Sequence, residues 1–242
     1  MKTFIGIIPA RYESSRFPGK PLIDLKGKSM IQRVYEQSKK ASVLKEVYVA
    51  TDDDRILNHV LAFGGKAVMT SPDHPSGTDR CYEVLQKINE KADVVINIQG
   101  DEPLIMPEQI SLLTSCFENK TTQIATLIKK FDAGDKEIDN PNRVKVVASI
   151  DSNALYFSRS KIPFDQKETS PTYFKHIGIY AYTTKVLAEI VKLAPSRLEI
   201  IESLEQLRWL ENGYQIKTLE TKLETPNIDT PNDVESVLKL IQ

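Results

Sequence analysis

Three short stretches of the 242-residue chain gather residue types that can do chemistry together. The first, ARYESSRFPGK at Ala10–Lys20, follows the dense apolar run Phe4–Pro9. Arg11, Arg16 and Lys20 are donors suited to phosphate oxygens, and Gly19 permits close backbone approach. A phosphate loop of the GxxxxGK[ST] kind is excluded, because Pro21 follows Lys20 and no hydroxyl is available for magnesium. The second stretch, NIQGDEP, sets Asp101 after an apolar strand and a glycine. A carboxylate there can hold a hard cation such as Mg2+, and Gln99 can hydrogen-bond a nucleotide or a sugar. The third, IDTPNDV at 228–234, puts Asp229 in a turn before the final helix, with Thr230 or Asp229 itself as the helix cap.

Other motifs are open to plainer readings. TDDD at 51–54 resembles the DxD of metal-dependent glycosyltransferases, yet acidic residues before Ile56-Leu57 suit a helix start and its positive end. DHPSGTDR at 73–80 reads as a turn and a helix start at Thr78 or Asp79, with Ser76 and backbone groups able to meet a base edge. HIGIY at 176–180 and ESLEQLRW at 202–209 carry polar groups inside apolar patterns, and taken alone they read as core packing and a solvated helix face.

The elements that must position these residues follow from periodicity. Strands are expected at Phe4–Pro9, Glu46–Ala50, Lys66–Met69, Val94–Ile98, Ile124–Ile128, Val144–Ser149, Ala154–Ser158, Ile177–Tyr182 and Tyr214–Leu219. Helical stripes are Met30-Ile31-Val34-Ser38, Ile56-Leu57-Val60-Leu61 closed by Gly64-Gly65, Cys81-Val84-Leu85-Ile88, Ile110-Leu113-Phe117 and a long helix over Leu198–Leu210. Strand–helix alternation up to about residue 130 implies a largely parallel sheet covered on both faces. Strands predominate over 131–183, an inserted β-rich layer within one α/β domain spanning 1–242, whose core is 1–130 and 184–242. The basic loop, TDDD and QGDEP all lie at carboxyl ends of strands, where open parallel sheets bind ligands.

Composition narrows the partners. Lys and Arg number 32 against 33 Asp and Glu, so there is no bulk attraction to nucleic acid or an acidic membrane, and anion binding must be local. No apolar run approaches the ~18 residues a membrane span needs, and the N-terminal run is too short for a signal peptide, which points to a cytoplasmic protein. Cys81 and Cys116 fall on apolar stripes, as buried thiols in a reducing compartment do. His59, His74 and His176 are scattered and unpaired with cysteine, which argues against zinc.

With these segments in hand, IIPARYESSRFPGKPL resembles the start of the 3-deoxy-manno-octulosonate (Kdo) cytidylyltransferases. The similarity continues in order through VATDDDRI, MTSPDHPSGTDR, VINIQGDEPLI, NPNRVKVV, ALYFSRSKIPF, KHIGIYAY, LEIIESLEQLRWLENG and IDTPNDV, over nearly the whole chain. The resemblance implies a nucleotide-diphospho-sugar-transferase fold with a mixed, mainly parallel sheet. It also implies transfer of CMP from CTP to Kdo with Mg2+ and release of diphosphate, in lipopolysaccharide biosynthesis. Carried over by position, Arg11 and Lys20 would meet the CTP phosphates, while Ala10, Ser76, Gly77, Arg80 and Gln99 would complete the nucleotide pocket. Asp101 and Asp229 would hold the metal; Arg159, His176, Tyr180, Glu205 and Gln206 would line the Kdo site. The β-rich segment would help form a homodimer. Departures are Asp79 for a commoner glutamate, Lys175 for arginine before the histidine, IPFDQ for IPWDR, and a short loop before Tyr173.

Three alternatives stay open on the residues alone: a cytidylyltransferase for the 8-amino analogue of Kdo, a glycosyltransferase using TDDD, and a non-catalytic CTP sensor on the same fold.

Overall fold

The computed structural model describes residues 2–14 and 17–241; Arg16, expected at the phosphates, lies outside them. All nine expected strands are present, their ends moved by three residues or fewer. The chain divides into two compact units, Met1–Ser111 with Thr225–Gln242, and Leu112–Glu224.

In the first unit β1 (Phe4–Pro9) pairs in parallel with β2 (Leu44–Thr51) and β4 (Val94–Asn97), and β2 pairs in parallel with β3 (Ala67–Met69). Ile5, Ile7 and Ile8 are fully buried, which is why β1 reads as a continuous apolar run and not as an alternation. The helices are α1 (Met30–Lys39), α2 (Asp54–Ala62), α3 (Gly77–Lys87) and the C-terminal helix Pro231–Leu240. Ser29 caps α1 through a bond from Gln32 N at 3.2 Å, and Asp53 caps α2 through Arg55 N at 2.9 Å. TDDD therefore does what its position before a helix implies. Phe17, Leu25, Met30, Leu104, Ile228 and Val237 share one apolar cluster, which fastens the basic loop and the C-terminal helix to the same core.

After α4 (Pro107–Ser115), the second unit is built on β5 (Ile124–Lys130), antiparallel to β8 (Phe174–Thr183) and parallel to β9 (Ile216–Glu220). The strands β6 (Lys145–Ala148) and β7 (Ala154–Ser158) form an antiparallel pair, with β6 also antiparallel to β8. This unit is larger than the inserted layer read at 131–183, because β5, β9 and three helices pack with those strands: α5 (Thr184–Ile190), α6 (Arg197–Glu202) and α7 (Gln206–Glu211).

The long helix expected over Leu198–Leu210 is two helices. Ser203 adopts a left-handed backbone, φ 52°, which ends α6 and turns Leu204 into the core. Carbonyls freed at that break accept from the Arg159 side chain, Nε to Glu202 O at 2.7 Å and Nη2 to Ser203 O at 3.3 Å. The last helix, numbered α8 here, starts on a capping box in which Asp233 Oδ2 accepts from Thr230 N at 2.7 Å. No described helix is long and apolar enough to cross a membrane.

Candidate active site

In the first unit a cleft of about 290 Å3 opens where the carboxyl ends of β1 and β4 meet the N-terminus of α3. Ala10, Arg11, Lys20, Ser76, Gly77, Arg80, Gln99 and Asp101 all line it. Sequence reasoning thus gathered into one wall residues that lie up to 91 positions apart. Gly100 is required for the closeness of the two strand ends: a Cβ there would stand 2.6 Å from the Pro9 carbonyl oxygen. Gly77 lies under the same proline, its Cβ position 3.2 Å from Pro9 Cγ.

Charge in the cleft is arranged around Lys20. Its Nζ donates to Asp101 Oδ2 at 2.8 Å and to the Ile228 carbonyl at 2.8 Å, and stands 3.9 Å from Asp229 Oδ1. The two carboxylates expected to hold a metal therefore converge on one cationic centre, although 128 positions separate them in the chain. Thr230 and Asp233 make the cap of α8, and the Asp229 backbone N also donates to Asp233 Oδ2 at 3.0 Å; the second Asp229 carboxylate oxygen accepts from Asn227 Nδ2 at 2.6 Å. The backbone bond from Ile228 N to Asp101 O, 2.9 Å, ties the two carboxylate segments together. Two hard oxygen donors with room for phosphate oxygens suit Mg2+, which usually takes one or two carboxylates plus phosphate and water. Among the described residues no group of three or more His, Cys, Asp or Glu could hold a metal.

Other residues of the cleft are committed within the protein. Ser76 caps α3, accepting from Thr78 N at 3.2 Å and Asp79 N at 3.3 Å while donating to Asp79 Oδ2 at 2.6 Å, so the helix begins at Gly77 and not at Thr78 or Asp79. Asp79, where glutamate is commoner, is thereby part of the cap. The Arg80 guanidinium is buried and bonds Asp52, the Thr70 hydroxyl (3.0 Å) and the Ser71 carbonyl (3.1 Å). It lends the cleft a cation whose position is fixed by TDDD. Arg11 is exposed on the wall.

Sequence reasoning missed His74, which lines the cleft and pairs through Nε2 with Glu83 on α3. Bonds from Lys87, Ser71 N and His74 outweigh partial burial and lower the Glu83 carboxyl to about 2. It also missed Glu102, buried beside Asp101 with one bond from the Thr225 hydroxyl at 3.0 Å. Burial, and then the neighbouring Asp101 charge, push this carboxyl up to about 8. A raised carboxyl pKa favours the folded state below the unfolded value near 4.5, and that advantage is lost as pH rises through about 8. Glu102→Gln, which cannot ionise, should therefore match wild type at pH 5 and gain on it by a few kcal/mol, on the order of several degrees in Tm, by pH 9. Thermal melts of both proteins across that range check this, and parallel Tm–pH curves would contradict it.

The expected sugar-binding residues all belong to the second unit. A register shift after Thr126, which faces Tyr180 while Leu127 faces Ile177, makes β8 bulge at Gly178-Ile179. The Thr126 hydroxyl lies 2.8 Å from the Ile179 carbonyl and 3.0 Å from His176 Nε2, and the His176 and Tyr180 rings are 5.2 Å apart. Packing of the imidazole in the interior pushes its pKa down to about 3, so His176 is neutral at physiological pH and can offer a sugar hydrogen bonds but no charge. Burial, then the charge of Glu205, raise the Tyr180 phenol well above its usual range. Gln206 is buried at the start of α7, with Glu205 before it. Besides the two carbonyls at the helix break, Arg159 reaches Pro141 O at 3.1 Å, and its backbone N donates to Glu202 Oε2 at 2.9 Å.

Comparison with known proteins bears on what this arrangement does. The sequence profile of the cytidylyltransferase family matches residues 5–219. A 3-deoxy-manno-octulosonate cytidylyltransferase of Parabacteroides distasonis is 58% identical, over 100% of this chain and 99% of the relative. An 8-amino-3,8-dideoxy-manno-octulosonate cytidylyltransferase of Shewanella sediminis is 48% identical over 94% of each. A solved structure of CMP:2-keto-3-deoxy-manno-octonic acid synthetase complexed with CTP superposes with a TM-score of 0.93, at 47% identity and 98% coverage of both chains.

Proposed function

The chain belongs to the cytidylyltransferase family, and from that premise we propose how its residues divide the work of one reaction, the transfer of CMP from CTP to Kdo. The reaction forms a bond from the sugar's anomeric oxygen to the α-phosphorus of CTP and breaks the bond to diphosphate. The product is the activated sugar used in lipopolysaccharide assembly. Both substrates are anions, and two unit charges ~4 Å apart repel by about 4 kcal/mol at an effective dielectric of 20, so cations must stand between them.

Arg11 and Lys20 meet the triphosphate and neutralise charge that grows on departing diphosphate. The N-terminus of α3, capped by Ser76 and opened by Gly77, presents backbone donors and its positive end to the nucleotide. Ala10, Arg80 and Gln99 shape the rest of that pocket. Asp101 and Asp229 would hold Mg2+, which would supply positive charge at the reacting centre and lower the pKa of the sugar hydroxyl. Arg159, His176, Tyr180, Glu205 and Gln206 orient the sugar, with Arg159 supplying the charge opposite its carboxylate and neutral His176 supplying only hydrogen bonds. With the hydroxyl so acidified no histidine base would be required, and its proton would pass to solvent water.

The observation that carries this reading is the meeting of Lys20, Asp101 and Asp229 around one point of a cleft whose wall is the basic loop. Use of CTP and two buried cysteines outside any disulfide fit a cytoplasmic protein, and exposed Leu155, Ile200 and Ile201 on the second unit offer apolar surface for a homodimer. Mass analysis of the product formed from CTP, Mg2+ and either Kdo or its 8-amino analogue tests the substrate. CMP-Kdo is expected. A product from the amino sugar alone would retain the chemistry and reassign the pocket.

A further inference from the structure

Lys20 is assigned to the phosphates, yet its ammonium stands among the groups assigned to the metal. It donates to Asp101 at 2.8 Å and lies 3.9 Å from Asp229, with the Ile228 carbonyl as a third partner at 2.8 Å. We propose that Lys20 is a placeholder cation: its ammonium and the divalent ion compete for the same two carboxylates, and nucleotide phosphates free the pair for metal by drawing the ammonium away. This rests on the reading of Asp101 and Asp229 as metal carboxylates, and adds an order to their use.

The backbone around Lys20 is held by its neighbours, whereas the side chain is held only at its tip, by hydrogen bonds that a stronger anion can replace. Gly19 holds φ 71° and donates to Tyr12 O at 2.9 Å, Pro21 is buried behind the lysine, and Phe17 packs on the cluster of Leu25 and Met30. What can move is a flexible four-carbon stem whose side chain is 15% exposed. Placing a doubly charged ion beside the ammonium without moving it sets three positive charges on two negative ones. A triphosphate reverses that balance and offers the ammonium stronger anionic partners. Metal and nucleotide are therefore expected to strengthen each other's binding, with Lys20 as the coupling element. The carboxylates do not depend on the lysine for their positions, since Ile228 N bonds Asp101 O and Asn227 holds Asp229.

The test is Mn2+ binding to the full chain without nucleotide, followed by electron paramagnetic resonance, which needs no turnover. Lys20→Met should bind Mn2+ about tenfold more tightly than wild type, and Lys20→Gln, which keeps a donor for Ile228 O, should do the same. Equal or weaker Mn2+ binding in both folded variants would overturn the placeholder. The double variants Lys20→Met/Asp101→Asn and Lys20→Met/Asp229→Asn separate this from the underlying reading. Tight Mn2+ retained without either carboxylate would overturn the metal assignment itself, whereas its loss in both, expected here, places the competition at that pair.

Discussion

Asp101→Asn should lower the rate of diphosphate formation by at least about a thousandfold, a loss of about 4 kcal/mol of transition-state stabilisation, with Tm within a few degrees of wild type. Asparagine keeps the shape and one oxygen but removes the charge that pairs with Lys20 and that we propose holds Mg2+. The fold does not rest on that charge. The Asp101 backbone carbonyl still accepts from Ile228 N, Gly100 still closes on Pro9, and Lys20 retains Ile228 O and the nearby Asp229. Steady-state rates at saturating CTP and Kdo, read beside a thermal melt, separate the two effects. A folded variant with near wild-type turnover would remove Asp101 from the mechanism.

The second large effect is structural. Lys145, on β6 in the segment NPNRVKVV, is fully buried, and its ammonium donates to the carbonyls of Asn140 (2.9 Å), Arg143 (2.6 Å) and Arg159. Burial lowers its pKa, opposed by Asp139. Lys145→Met keeps much of the volume and leaves those acceptors without their donor. At about 1 kcal/mol for each bond the loss is about 3 kcal/mol, or about 6–12 °C in Tm. Because one acceptor is the Arg159 backbone, KM for the sugar should rise in the fraction that remains folded, with KM for CTP little changed. Calorimetry and a KM comparison check both; a variant melting within about 1 °C of wild type would contradict the assigned role.

The cleft of the first unit was legible because its polar residues sit at strand ends. Apolar runs locate β1 and β4, and whatever follows them must stand at the carboxyl edge of a parallel sheet, so Arg11, Lys20, Gln99 and Asp101 could be gathered without a structure. Asp229 was harder, since a turn before a helix explains a carboxylate equally well. A reader attending to the T-x-x-D spacing of Thr230 and Asp233 could have assigned the cap to that pair and released Asp229. The helix break at Ser203 left no mark in the periodicity: no glycine or proline stands there, and Arg159, 44 residues earlier, binds the freed carbonyls. Lys145 escaped notice for a similar reason. A lysine in a short strand reads as solvent-facing, and only the fold brings together the carbonyls of the 140–143 turn and of Arg159 that receive it. Two of the proposed sugar-binding residues, His176 and Tyr180, flank a bulge in β8, which alternation alone does not announce.

The proposed activity joins CTP to a sugar acceptor and does not merely bind or hydrolyse the nucleotide. Continuous measurement of diphosphate release, with CTP, Mg2+ and Kdo each omitted in turn, tests it most directly. Release is expected only when all three are present, with CMP-Kdo formed in equal amount. Release without sugar would make the protein a CTP hydrolase, and tight CTP binding with no release under any condition would make it a sensor; either result would contradict the account.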